Sequence, residues 1–473
     1  MAEAEQVGVR PLSALLEWTF WLGVLLAGTI GLLIQQVAGW LKVELQVTGR
    51  EFAAGMLACL LVVVPLTTFI GVKVARGNLL RYDEFWGGYE LRADRSTTGC
   101  TRDGPCAHEY QCDPYNHVHH ETRQVASGTD SKGNTTYRTE SYTVDHTHYH
   151  ACPYATEEWS FSVETTLGRY PIVEHGFTDN PQEWRPGSGI PVSVHRGVPA
   201  FWADAKARID ANRPGPVTAV RKYDNFILAS QSSILKKYSD DAEELASKGW
   251  LPAPTGGVRE FYLADKVHFV GVTADRAAWQ DTVNRFNAAF GSDLQGDLHV
   301  VLVTPGRAGN VDSYTAALNA QWTGPKYGRK AISKNTLVVV VVTDGKTVTA
   351  TRAFTGMPLG NEKLIGAVRN IRDVPLDPLT VIGAPEGVLA TGKVAVHPGS
   401  GQLEKLTWGK ATKFTRVCMR CDEEGGGGFT YLDSEIQPTS GQKFVIALVA
   451  ALASLVVWGL VLFTGAARPR HSR

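Results

Sequence analysis

The sequence predicts a membrane protein with three transmembrane helices and an α+β soluble part. In that soluble part a disulfide-braced β-rich region precedes an α/β sandwich. Three observations lead to this class. Three long segments carry no charged residue; six of seven cysteines fall in the polar stretch between two of them; and from about residue 260 helix and strand patterns alternate.

The uncharged segments are Trp18 to Leu41, Phe52 to Val72 and Phe444 to Ala467. Each reaches the ~20 residues that a helix needs to cross ~30 Å of hydrocarbon. Trp18, Trp21 and Trp40 mark the ends of the first as interface anchors. Pro65 is expected to kink the second helix rather than end it. A cleaved signal peptide suits the first segment poorly, because no basic stretch leads directly into it and a second span follows at once.

Three spans put the termini on opposite sides, and residues from about 77 to 440 share a side with the N-terminus. Basic residues near the spans do not choose that side. Arg10, Lys73, Arg76, Arg81 and Lys443 stand against Lys42, Arg50, Arg468, Arg470 and Arg473. The cysteines favour an extracytoplasmic domain: Cys100, Cys106, Cys112, Cys152, Cys418 and Cys421 form an even set suited to an oxidising compartment. The tail "RPRHSR" is then cytoplasmic. Lys plus Arg equals Asp plus Glu at 47 each, so charge points to no nucleic-acid partner. The expected partners are the lipid bilayer and other membrane or envelope proteins.

The chain divides into a two-helix membrane hairpin (1–76), a Cys/His-rich β domain (77–200), a helical connector (201–260), an α/β domain (261–400), a β return with a CxxC and a Gly-rich loop (401–442), and the last span (443–467). "TTYRTESYTV" and "EEWSFSVETTL" alternate polar with β-branched or aromatic residues, the strand period. "VPAFWADAKARIDA" and "SDDAEELASKGW" have helical spacing. "DRAAWQDTVNRFNAAFG" puts Trp279, Val283, Phe286 and Phe290 on one helix face. "DLHVVLVTP" and "NTLVVVVVTD" are buried strands, the five valines suiting a strand covered on both faces. Asp344-Gly345 turns the second of them into "KTVTATRAFTG". "VDSYTAALNAQW" and "NEKLIGAVRNIRD" are helices, so one sheet is covered by helices.

The densest chemistry lies in "NHVHHETRQVASGTDSKGNTTYRTESYTVDHTHYH", residues 116–150. A Lys132-Gly133 turn would pair positions that sum to 265. His117 then faces His148, His119 faces His146, and His150 shares their face. Five imidazoles so placed can ligate zinc or another divalent metal. The alternative is a polar hairpin, since the spacing matches no standard zinc module. A one-residue slip would divide the set. Two readings also stand for the cysteines. In one, Cys418 and Cys421 are half of a four-cysteine zinc site. In the other, which we favour, the pairs are Cys112–Cys152, Cys100–Cys106 and Cys418–Cys421 disulfides. Phosphate-loop, dinucleotide, nucleophile-elbow and HExxH patterns do not occur.

The segments "HVVLV", "YTAALNAQW", "KYGRKAISKNTLVVVVV", "TDGKTVTATRAFTG" and "GMPLGNEKL", within residues 275–385, resemble in order those of the TPM-domain family. The family's "NG" is Asn335-Thr336 here. The resemblance covers about a quarter of the chain and implies an α/β sandwich held outside the membrane by a following helix. Some family members are described as phosphatases, others as assembly or repair factors for membrane complexes. The expected function is therefore a membrane-anchored interaction or assembly factor without catalysis, with a metal-dependent phosphatase-like hydrolase as the alternative. No metal-binding aspartates can be carried over, and Asp344 reads as a turn position.

Overall fold

The computed structural model describes residues 18–40, 49–99, 112–129, 135–150, 157–177, 198–230, 240–254, 258–259, 263–324, 326–357, 360–421 and 428–466. Three apolar helices form one bundle: α1 (Trp18–Trp40), α2 (Gly49–Leu80) and, at the far end of the chain, a C-terminal helix (Ser440–Ala466). Gly49–Leu80 and Ser440–Val461 are each long and apolar enough to cross a membrane. In α1 the described apolar stretch is Phe20–Ile34. Phe20, Ala27, Cys59, Val64, Ala450 and Trp458 pack at the centre of the bundle. Small residues permit the approach. A Cβ on Gly31 would stand 2.5 Å from the Trp458 ring, and one on Gly71 would stand 2.9 Å from Ile446. The helix does not stop at Pro65. A single π turn, Cys59–Val63, precedes the proline and relieves the bond that its ring removes.

Helix α2 runs straight into a strand, β1 (Arg81–Gly99), with no linker between them. β1 is central in a four-stranded antiparallel sheet with β4 (Glu157–Thr165), β5 (Gly168–Phe177) and β6 (Pro216–Asp224), in the order β5-β4-β1-β6. Its first half pairs with β6 and its second with β4, and a bulge at Glu90/Arg92 divides the two. Glu90, fully buried, sits at that bulge. Arg208 of α3 (Ala200–Asp210) grips it at 2.6 and 3.1 Å, and the Gly215 amide donates to it at 2.8 Å. The hairpin of β2 (Cys112–Thr129) and β3 (Thr135–His150) forms a separate two-stranded sheet.

Helix α4 (Asp240–Ser247) leads into the α/β part. There the order is β7 (Val267–Val270), α5 (Arg276–Leu294), β8 (Asp297–Val303), α6 (Val311–Thr323), β9 (Thr336–Thr343), β10 (Thr347–Thr355), α7 (Glu362–Val368) and β11 (Val374–Pro375). The sheet order is β11-β10-β9-β8-β7, with β7, β8 and β9 parallel and the other pairs antiparallel. Every residue of β8 and β9 is buried, as apolar strands covered on both faces must be. Trp279, Val283, Phe286 and Phe290 of α5 cover one face, and Tyr314, Leu318 and Trp322 of α6 cover the other. Asp344 caps the β9–β10 turn by accepting from the Lys346 and Thr347 amides. A small hairpin, β12 (Glu386–Ala390) and β13 (Lys393–His397), and a short α8 (Gln402–Thr407) follow, and the Ser440–Ala466 helix is α9.

β1 also joins the two sheets. Gly87 lies so close to α5 that a Cβ would meet the Asn287 carbonyl at 1.9 Å, and a Cβ on Gly291 would meet Gly87 at 2.4 Å. Two expectations change. The stretch assigned to a helical connector (201–260) contributes β6, which completes the sheet around β1. The expected β return (401–442) has, among its described residues, α8 and a 3-10 turn at Thr430–Glu435 in place of strands. In both places the pairing partner decides the backbone: β6 has one in β1, and the described residues after 401 have none.

Candidate functional site

The β2–β3 hairpin carries the sequence-predicted metal positions. Its strands end at Thr129 and begin again at Thr135, so residues 130–134, including Lys132-Gly133, lie outside the described residues. The register is not the one a two-residue turn would set. His117 lies opposite His146, Tyr115 opposite His148, His119 opposite Val144 and Cys112 opposite His150. Paired positions sum to 264 next to the turn, at Gly128 and Thr129, and to 263 over most of the ladder, where β2 has accommodated an extra residue at Ser127. A shift of two keeps the faces, so positions 117, 119, 146 and 148 stay on one side of the ribbon while their partners change. A second bulge, at Asp113, precedes the pairing of Cys112 with His150. The side chains of His117, His146, His148 and His150 lie outside the described residues. Among the described residues no three His, Cys, Asp or Glu side chains converge as a metal site.

The same face carries a polar row. Tyr142 donates to Glu121 at 2.7 Å, which holds its phenol above the usual range. Arg123 lies over the Tyr142 ring and pairs with Glu140 at 3.5 Å; Arg138 pairs with Glu140 at 2.5 Å. The opposite face holds Val118, His120, Thr122, Gln124 and Ala126 against Asp145, Thr143, Ser141, Thr139 and Tyr137. Val118 and Tyr137 are 50% and 64% exposed. Side chains of these types, on a two-stranded ribbon without a covering layer, can bind an extended partner far more readily than they can catalyse a reaction.

The cysteine expectations divide. Cys418 and Cys421 form a disulfide, and Cys59 is a buried free thiol in the bundle. Cys100, Cys106 and Cys152, and the side chain of Cys112, lie outside the described residues.

A cavity of about 530 Å³ opens where the parallel strands end, lined by Thr273, Asp275, Trp279, Thr282, Gly345 and Asp377 among others. Open α/β sheets bind ligands at this end. Here the carboxylates serve the fold. Asp275 caps α5 through the Ala277 and Ala278 amides, Asp377 caps the turn at Thr380, and Asp281 pairs with Arg285.

Sequence reasoning missed a charged group at the opposite end of the strands. Lys266, with its side chain buried, donates to Asp297 at 2.9 Å and lies 3.0 Å from His299, whose Nε2 is 3.2 Å from the same carboxylate oxygen. His268 stacks on His299, and both meet the edge of Trp322. The Lys266 ammonium sits 3.3 Å above the Phe85 ring of β1. Burial lowers the Lys266 ammonium and pushes His299 and His268 down to about 4 and about 3. Burial would raise Asp297, but Lys266 and His299 together hold it below the usual carboxylate range. The signal was the presence of Asp297, His299 and His268 in otherwise apolar strands. The group stands where β1, continuing from α2, crosses the α/β sheet, so it ties the two together rather than facing a substrate.

Comparison of the chain with protein-family models, with curated proteins and with solved structures finds no match in any of the three. The TPM resemblance thus rests on the quoted segments alone.

Proposed function

We propose that the protein is a three-span membrane protein whose large extracytoplasmic part acts as an interaction or assembly factor for other membrane or envelope proteins. It performs no catalysis of its own. The observation that carries this reading is the β2–β3 ribbon. Strands of this length usually pack a face against a core; here nearly every described side chain is exposed. Such an element contributes surface to a partner rather than stability to its own chain.

The membrane part of the reading draws on outward apolar side chains in all three helices. Trp21 and Leu25 of α1, Leu61 and Leu66 of α2, and Val456 and Leu460 of α9 are each more than half exposed. A bundle that exposes so many large apolar side chains suits lipid and not water. The Cys418–Cys421 disulfide favours the extracytoplasmic side.

The test places a photo-crosslinking residue at Tyr137 and, as a control, at Lys222 of β6. Adducts with a membrane or envelope protein from position 137, and none from 222, are expected. Equal adducts from both positions, or none from 137 in a folded chain, would remove the reading. A second reading, a metal-dependent phosphatase-like hydrolase, draws on the register that sets position 117 opposite 146 and keeps 119 and 148 on the same face. It requires stoichiometric zinc or another divalent metal in the purified protein, and phosphatase activity lost in a His117→Ala/His146→Ala variant.

A further inference from the structure

We infer that β3 is a homotypic docking edge: the β3 strands of two copies of this chain pair antiparallel, centred on Thr139, to make a four-stranded sheet in the order β2-β3-β3-β2. This rests on the reading of the ribbon as the interaction element and names its partner.

Two independent features of the ribbon lead to it. The first is the asymmetry of its edges. Long exposed strand edges recruit other strands unless lysine, proline or a bulge blunts them. β2 is blunted: both register shifts of the hairpin insert their extra residue into β2, at Asp113 and Ser127, and the strand also contains Pro114 and Gly128. β3 has no Lys, Pro or Gly from Thr135 to His150, and each of its residues continues the ladder without a bulge. Among the described residues its outer edge pairs with nothing. The chain has guarded one edge and left the other open.

The second feature is charge. "RTE", Arg138 to Glu140, reverses sign about Thr139. Antiparallel pairing of two identical strands about that residue puts Arg138 of each copy opposite Glu140 of the other, and Thr139 opposite Thr139. Tyr137 then faces Ser141, Thr136 faces Tyr142 and Thr135 faces Thr143, so no like charges meet. Glu140, which has Arg123 opposite it on its own β2, would gain an arginine on its other flank. A second copy supplies this complement by symmetry, and the same patch serves both sides, as a two-fold interface demands.

The experiment uses the full chain in bilayers. Thr139→Cys and Gln124→Cys are each treated with a short bis-maleimide, with the unsubstituted chain as background. Thr139→Cys should give covalent dimer, and Gln124→Cys, one strand further out, should not. Arg138→Glu and Glu140→Arg are then added separately to Thr139→Cys. Each alone sets like charges opposite one another twice and should lower the dimer yield roughly tenfold. Mixed, the two carry complementary strands and should cross-link to each other at close to the original yield. Absence of dimer from Thr139→Cys, equal dimer from Gln124→Cys, or failure of the mixture to recover would each overturn the proposal. Adducts from position 137 to a different protein, without homodimer, would sink this inference and leave the interaction reading standing. Loss of both would remove both.

Discussion

Asp297 and Lys266 show what a single buried charge demands. Each is neutralised by the other, within a group closed by His299, Trp322 and Phe85. Asp297→Ala leaves Lys266 buried without its anion and should destabilise the chain by about 3–5 kcal/mol in chemical denaturation. Lys266→Met combined with Asp297→Leu should recover most of that loss, because an apolar pair needs no partner. The histidines add a pH dependence whose sign follows from burial. His299 and His268 are held neutral with values near 4 and 3, against an ordinary value near 6.5 in the unfolded chain. Between pH 4 and 6.5 the unfolded chain therefore binds more protons than the folded one. Stability should be full above about pH 6.5 and fall as pH drops, by up to about 1.4 kcal/mol per pH unit for each histidine. His268→Phe combined with His299→Phe should flatten that acid limb in the same denaturation series; an unchanged slope would place its source elsewhere.

At the scale of elements, the contacts that set the architecture are made by residues with almost no side chain. Gly87 and Gly291 let β1 lie against α5, and Gly31 and Gly55 receive Trp458. Gly291→Val should disturb the join between the two sheets and cost more than the ~1–3 kcal/mol of ordinary overpacking, because the obstructing atoms are backbone. Trp458→Ala should leave a void between α1, α2 and α9 and cost about 3–5 kcal/mol, read as thermal unfolding in micelles. A Trp458→Ala chain as stable as the parent would mean that the helices do not pack as a bundle. The apolar runs, the buried β8 and β9 and the Asp344-Gly345 turn were all legible, since each is set by composition or by a few neighbours. β6 was not. "PVTAVRKYD" becomes a strand because β1 lies beside it, and nothing local announces that neighbour. The ribbon register was off by two, and one of the two steps has a related reason. Ser127 enters as a bulge, and whether a strand accommodates an extra residue is decided across the ladder.

For the whole molecule, the plan is a bundle of three apolar helices, a sheet that grows out of α2, an α/β layer fastened to that sheet, and a ribbon that forms a sheet of its own. The approach to α9 is fastened as well. Arg76 of α2 pairs with Asp433 at 2.9 Å, just before α9 begins, and Arg416 lies between the Trp86 ring and Glu84 of β1. A chain so braced should move as one body. The side of the bilayer is checked by thiol labelling in intact cells. With an impermeant maleimide, Cys418 and Cys421 should label only after a reductant. Labelling without reductant, and only in lysed cells, would put the domain in the cytoplasm.

By itself the sequence determined the apolar helices and the strand–helix order of the α/β part, and it favoured, against a stated alternative in each case, the Cys418–Cys421 pair and one shared face for positions 117, 119, 146 and 148. Each depends on composition, on period or on a separation of a few residues, and such signals add along the chain. The tertiary structure alone decided which strands pair, where β2 bulges, and that Lys266, Asp297, His268 and His299 meet. Those outcomes depend on distant segments competing for the same hydrogen bonds and the same buried space, and that competition is resolved only once the chain is folded.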